Sequence, residues 1–227
     1  MRMTMVRSLV AGGALAAVSL MLPTASMGQT PQQPQPAMMP PGLPPTLVVD
    51  LMSASGASAL SAQWRVSEVK IKEVPAIPGT QTQSKTTYDI EPHAGGADFD
   101  DSKWPVIEPK DLAARRSGGH VAFMWYRTPL TIPAKINDFD PSGAVAVLRV
   151  TVDDYAEVWV NGAIPGRSGY PRPASIQGHN MPNRVVLGTS IKPGEKFQIA
   201  VFGINGPISI APANAIFVRE AKLELFK

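Results

Sequence analysis

The chain contains no cysteine. No disulfide can staple a small fold and no lipid can be attached through a thiol, so a folded domain here must stand on its own apolar core. A membrane-spanning run is also missing: the apolar stretch from Ser8 to Leu22 is about 15 residues, against the roughly 20 that cross a bilayer. Charge of one sign is missing too. The 21 Lys and Arg nearly balance 18 Asp and Glu, and no basic stretch carries interleaved aromatics, which excludes a nucleic-acid footprint. His93, His120 and His179 are too far apart to form a ligand or catalytic spacing motif. No G-x-S-x-G nucleophile elbow occurs. No helix-period segment longer than a dozen residues follows the N-terminal region, so the crossover helices of an α/β fold are absent.

What is present begins with Arg2 and Arg7 ahead of the apolar run, followed by the small residues Ser26 and Gly28. This is the layout of a secretory signal peptide over 1–28, and it predicts a periplasmic or extracellular chain with no membrane contact once the signal is removed. Residues 29–46 are rich in Pro and Gln and read as a disordered linker of polyproline character, which cannot bury enough surface to offset its ordering entropy. Without Arg2 and Arg7 the remainder holds 19 basic against 18 acidic residues, so the alkaline isoelectric point says little about partners. Residues 47–227, with a core from about residue 60, are enough to bury about 70% of the unfolded chain's surface.

Within that domain the pattern is short strands between Pro and Gly turns. Leu47 to Leu60 reads as a short helix or an irregular lead-in, and Trp64 to Ile71 as the first strand. Pro78 to Thr87 reads as a surface loop. Phe99 and Trp104 bracket an ordered polar turn. Val121 to Arg127 is extended, with a bulge expected at Thr128-Pro129 because proline cannot donate to a ladder. Ala144 to Val152, Arg184 to Leu187, Phe197 to Phe202 and Ala215 to Phe226 complete the strands, the last with Phe217, Ala221, Leu223 and Leu225 in one phase. About 20 irregular residues from Ala163 to Asn183 are long for a compact domain and point to a functional loop. The architecture expected is an all-β sandwich or jelly roll.

The stretch Val152 to Gly162 joins strand periodicity to a turn. Ala156, Val158 and Val160 fall on one face, Tyr155, Glu157 and Trp159 on the other. Asn161-Gly162 supplies the two residues of a hairpin turn at positive φ. Together with Asp98 to Trp104, Trp125 to Arg127 ahead of Leu130 to Pro133, and Lys192 to Lys196, this ordered set resembles the galactose-binding-domain-like jelly rolls that accompany many glycoside hydrolases. His93 to Trp104, Val152 to Gly162 and Ala200 to Pro207 are similar to the β-sandwich segment ahead of the catalytic domain in some secreted bacterial gluconolactonase-like proteins. The lactonase propeller, with its repeated blades and carboxylate-rich metal site, is not found within these residues. The resemblance therefore implies an accessory module. It also implies a structural calcium ion, for which Asp98, Asp100 and Asp154, with Asp138 and Asp140, are hard oxygen donors.

Sugar recognition needs aromatic faces for the C–H side of a pyranose and planar polar groups for its hydroxyls. The candidates for ligand binding are Tyr155, Glu157, Trp159, Asn161, Tyr170, Asn180 and Arg184, with Trp125, Tyr126, Arg127, His179 and Asn183 as further groups. The site is expected between the long loop and the Asn161 hairpin. Trp64, Trp104, Trp125 and Trp159 serve equally well as core cover. Asp100-Asp101 and Asp153-Asp154 are adjacent pairs whose side chains would point to opposite faces of a strand, so neither pair forms a two-carboxylate site, and no catalytic residue is expected. The leading reading is a noncatalytic module that binds carbohydrate or a carbohydrate-active enzyme. Two others stand beside it: a component of a gluconolactonase-like or glycoside hydrolase enzyme, and a protein-interaction sandwich without a sugar site. Secreted protein should begin at Gln29, read by intact mass and N-terminal sequencing; a chain still carrying Met1 contradicts the signal-peptide reading.

Overall fold

In a computed structural model the described residues are 43–79, 85–116, 122–165, 179–206 and 215–227, all within the compact unit Pro34–Lys227. The signal peptide, most of the linker, His120, Tyr170 and most of the long loop lie outside them. Ten strands occur among the described residues: β1 Leu47–Asp50, β2 Arg65–Glu68, β3 Lys70–Pro75, β4 Thr86–Glu91, β5 Ala122–Thr131, β6 Val145–Asp153, β7 Tyr155–Val160, β8 Asn183–Gly188, β9 Lys196–Asn205 and β10 Phe217–Phe226. One six-residue helix, α1 (Ala54–Ala59), is capped by Ser53, whose side chain accepts from the Gly56 amide. The chain is a β-sandwich. One sheet runs β1-β10-β6-β8, the facing one β2-β5-β9-β7, and β3-β4 is a separate ribbon.

Strand alternation builds the core. Ala146, Leu148, Val150 and Val152 of β6 and Ala221, Leu223 and Leu225 of β10 face Met124, Tyr126, Ile199, Val201, Ala156 and Val158 of the opposite sheet, all in one buried cluster. The β5-β9 sheet is unusual in being covered on its other face as well. There Trp125, Ala200 and Phe202 form a second cluster with Val69 and Ala94, against which Phe99, Trp104, Phe123 and Trp159 pack. The cover is the irregular segment from Pro92 to Ile107, between β4 and β5.

Arg127 holds that cover down. Its side chain projects from β5 into the second cluster and is 1% exposed. Nε donates to Asp101 Oδ2 at 2.8 Å, and Nη1 donates to the carbonyl oxygens of Ala94 and of Gly96, the latter at 3.1 Å. Nη2 reaches the Phe99 carbonyl at 3.4 Å, and the guanidinium lies 5.3 Å from the Phe99 ring centroid. A buried guanidinium is tolerable only when its donors are so occupied. Asp101 is shared with Arg65, whose Nη1 also donates to the carbonyls of Ser102 and Trp104 at 3.1 and 2.9 Å. Trp125 adds an indole N–H bond to the Pro92 carbonyl at 2.8 Å. Gly95 is required by contact, since a Cβ there would lie 2.7 Å from the Trp159 ring.

Several expectations change. Leu47 to Leu60 contains a strand before its helix, because Leu47–Asp50 completes the first sheet against β10. The first strand divides at Val69, whose side chain turns into the second cluster. The end of the expected loop is β4, which pairs with β3 from Thr86 to Glu91; its Thr-rich, mostly exposed residues carry no core phase. Pro129 makes no bulge, because β2 flanks β5 only as far as Arg127 and leaves the proline side of the ladder free. A bulge occurs instead between Val218 and Glu220. It flips the phase of β10, so Phe217 leaves the core that Ala221, Leu223 and Leu225 share.

Replacing Arg127 by Met leaves Asp101 with Arg65 alone and strands three carbonyls under the cover, and should lower the unfolding free energy by about 3–5 kcal/mol. Urea unfolding reads this directly; a loss no larger than the roughly 1 kcal/mol of a surface ion pair contradicts the assigned role.

Candidate functional site

The corner where β6 hands over to β7 gathers the polar groups. Asp153 closes β6, Asp154 makes the bend, and Tyr155 opens β7. The Asp154 amide donates to the Ile204 carbonyl at 3.1 Å, and its carbonyl accepts from the Asn180 amide at 2.8 Å. This draws the residues just ahead of β8 onto the corner. His179 Nε2 then meets Asp154 Oδ1 at 2.8 Å. The Tyr155 ring stands edge-on to the imidazole, centroids 6.0 Å apart at 70°. Arg219, at the β10 bulge, has Nη1 3.8 Å from Asp153 Oδ1. Phe217, the register partner of Asp153, is flanked by the guanidinium groups of Arg115 and Arg219 at 4.9 and 5.9 Å from its ring centroid.

Asp153 and Asp154 thus act together, against the expectation from strand alternation. That rule holds only inside a strand, and the chain turns between them. With His179 they offer three ligand atoms within 4.8 Å of one another, so the described residues contain an acidic cluster suited to a cation. Asp98 and Asp100 do not belong to it. Both are exposed, and Asp100 Oδ1 accepts the Ser102 amide at 2.9 Å in a local turn; that bond, with the Ser102 hydroxyl, holds the Asp100 carboxyl below its ordinary range. Asp140 is occupied in the same way by Ser142.

The seven expected ligand residues separate. Tyr155 and Asn180 meet at the corner. Trp159 lies under the cover, edge-on to Trp125 with centroids 6.3 Å apart, so its ring serves packing. Glu157 is half-buried beside it and accepts weakly from Trp159 Nε1 at 3.4 Å. Asn161 is just past the far end of β7, about 20 Å away at strand rise. It forms the expected positive-φ turn with Gly162, closed by reciprocal backbone bonds between Val160 and Ala163 at 2.8 and 3.1 Å; β7 itself pairs with β9, and Asn161 Oδ1 accepts the Gln198 amide at 2.8 Å. Arg184 is on the outer face of the other sheet, where its Nη2 meets Glu224 Oε2 at 2.6 Å and Arg149 takes the second oxygen at 3.6 Å. Tyr170 lies outside the described residues. Sequence reasoning missed Asp153, Phe217 and Arg219 as site residues; an Asp pair directly ahead of a strand was the available signal.

No family model matches the chain. No curated protein matches it either. Among solved structures, a calcium-binding mutant of Bacteroides uniformis β-glucuronidase 2 aligns with 72% of this chain and 18% of its own, at 16% identity and a TM-score of 0.40. A glycosyl hydrolase family 2 member from Bacteroides cellulosilyticus aligns over 73% and 21%, at 16% identity and 0.39. TmCBM61 in complex with β-1,4-galactotriose aligns over 72% and 88%, at 14% identity and 0.28. This chain thus spans about a fifth of the two hydrolase chains it matches. The sandwich assignment rests on the strand pairing itself.

Glu157 supplies a test of the covered face. Burial raises its carboxyl above the ordinary 4.5, so the folded chain holds this proton more tightly than the unfolded one. Stability from the protonated form is present below the unfolded value and is lost as pH rises through the folded value. Glu157→Gln escapes that loss, so thermal melts should show the variant gaining on the native chain as pH rises above the ordinary carboxylate value of 4.5. A pH-independent difference contradicts the burial of this carboxyl.

Proposed function

We propose that this chain is a secreted, noncatalytic module that binds neutral carbohydrate and serves a carbohydrate-active partner, with the binding surface at the β6-β7 corner. The observation that carries the reading is the convergence of partly exposed Tyr155 and Phe217 rings with the Asp153 and Asp154 carboxylates, the His179 imidazole and the Asn180 amide. Aromatic edges and faces suit pyranose C–H surfaces, while carboxylates and amides accept and donate to hydroxyls. Arg115 and Arg219 balance the two carboxylates at this corner, so no net positive charge is left to select an acidic sugar, which favours neutral ones.

The noncatalytic part of the proposal follows from pairing. Asp154 is engaged by His179 and Asp153 faces Arg219. Glu157, the carboxylic acid whose proton burial retains, lies beside Trp159 on the covered face. A gluconolactonase-like partner is the finer form of the same proposal and rests on the motif resemblance alone.

Affinity electrophoresis and calorimetry against neutral galacto-, gluco- and xylo-oligosaccharides test the reading. Binding of at least one is expected, with Tyr155→Ala weakening it about tenfold, the loss of roughly 1.4 kcal/mol that one aromatic contact supplies. Trp159→Phe should leave it unchanged. No binding across the panel, or turnover of gluconolactone above the spontaneous rate by the chain alone, contradicts the proposal.

A further inference from the structure

The geometry points to a divalent transition-metal site of the zinc class at Asp153, Asp154 and His179, distinct from the calcium ion that the motif resemblance implies. Three observations carry it. The three ligand atoms lie within 4.8 Å of one another. One of them is an imidazole nitrogen, which suits zinc and its neighbours but not calcium or magnesium, whose ligands are oxygens. The third is independent of the cluster's own bonds: Asn180 Oδ1 is shut off from solvent and, among the described residues, has no hydrogen-bond partner. The Asn180 amide group lies against the same imidazole, its Nδ2 3.2 Å from His179 Nε2. A buried amide oxygen left unpaired is destabilising, and a cation at the corner relieves that cost directly or through a bound water.

The local pairing leaves room for the ion. His179 Nε2 meets Asp154 Oδ1 at 2.8 Å. Ligands of a tetrahedral zinc stand about 3.3 Å apart, from bond lengths of about 2.0–2.1 Å, so a small opening of this pair admits the ion, with the imidazole hydrogen carried on Nδ1. The two carboxylates neutralise its charge. Arg219 contacts Asp153 at 3.8 Å with 48% of its side chain exposed, so it can withdraw into solvent. The Tyr155 ring, edge-on to the imidazole, limits where the imidazole can turn. Three protein ligands leave a coordination position open, which a sugar hydroxyl could occupy, but metal binding itself does not depend on the carbohydrate reading.

Zinc uptake by the full chain, measured without glycan against a competing zinc-sensitive dye, tests the site. One equivalent should bind, with affinity falling more than tenfold in Asp154→Asn and in His179→Ala. Asp153→Asn provides a second route if either variant fails to fold, as judged by its melt. Asp98→Asn, and His93→Ala at the exposed Asp89 pair, should bind as the native chain does. Zinc binding should persist in excess calcium. Absence of uptake, uptake that survives both Asp154→Asn and His179→Ala, or displacement by an equal concentration of calcium each overturns the inference.

Discussion

A guanidinium buried beneath an irregular segment is the constraint on which the rest of this fold depends. Arg127 cannot leave its charge unpaired at 1% exposure, and β5, buried on both faces, cannot turn it outward. The segment above must therefore bring Asp101 and the carbonyls of Ala94, Gly96 and Phe99 to it. Those bonds fix the path of the chain from Ala94 to Trp104. They also set Gly95 on the Trp159 ring and the Phe99 and Trp104 rings 5.3 Å apart over the sheet. A buried pair of this kind contributes position more than net stability, since its Coulombic gain is largely offset by desolvation.

Position is what matters for function. Jelly-roll sheets present broad faces, and here neither face of β2-β5-β9-β7 is open. The inner one packs on the opposite sheet and the outer one lies under the Arg127-held cover. On the other sheet's outer face, Arg184, Arg149, Glu224, Glu220 and Lys222 are committed to one another. Among the described residues, a partly exposed end of the sandwich lies where β6 turns into β7 and the bulged start of β10 runs alongside. The bulge at Val218/Glu220 turns Phe217 and Arg219 toward that end, while the Asp154–Asn180 backbone bond brings His179 to it.

The strands with a core phase were legible in the sequence because alternation is local: strands form at Ala144 to Val152, Phe197 to Phe202 and Tyr155 to Val160 as read, while their partners come from the structure. The Asn161-Gly162 turn was legible for the same reason, since positive φ is a property of two residues. What failed to show was non-local. Arg184 finds Glu224 40 residues away, and Arg127 finds Asp101 26 residues away, so both read as free polar groups when seen alone. β4 has mostly exposed residues and a partner but no core phase. The Asp153-Asp154 pair escapes strand alternation because the chain bends between β6 and β7. Trp159 could be read two ways, and the contact with Gly95 decides for cover.

In the proposed function the recognition surface is the β6-β7 corner, and the tryptophan face is closed by its cover. Amide and side-chain chemical-shift mapping, with a bound neutral oligosaccharide added to isotopically labelled chain, tests it most directly. Shifts are expected only at Asp154, Tyr155, His179, Asn180 and Phe217, with Gly95, Glu157 and Trp159 unmoved. Shifts centred on Glu157 and Trp159, with the corner silent, would contradict it.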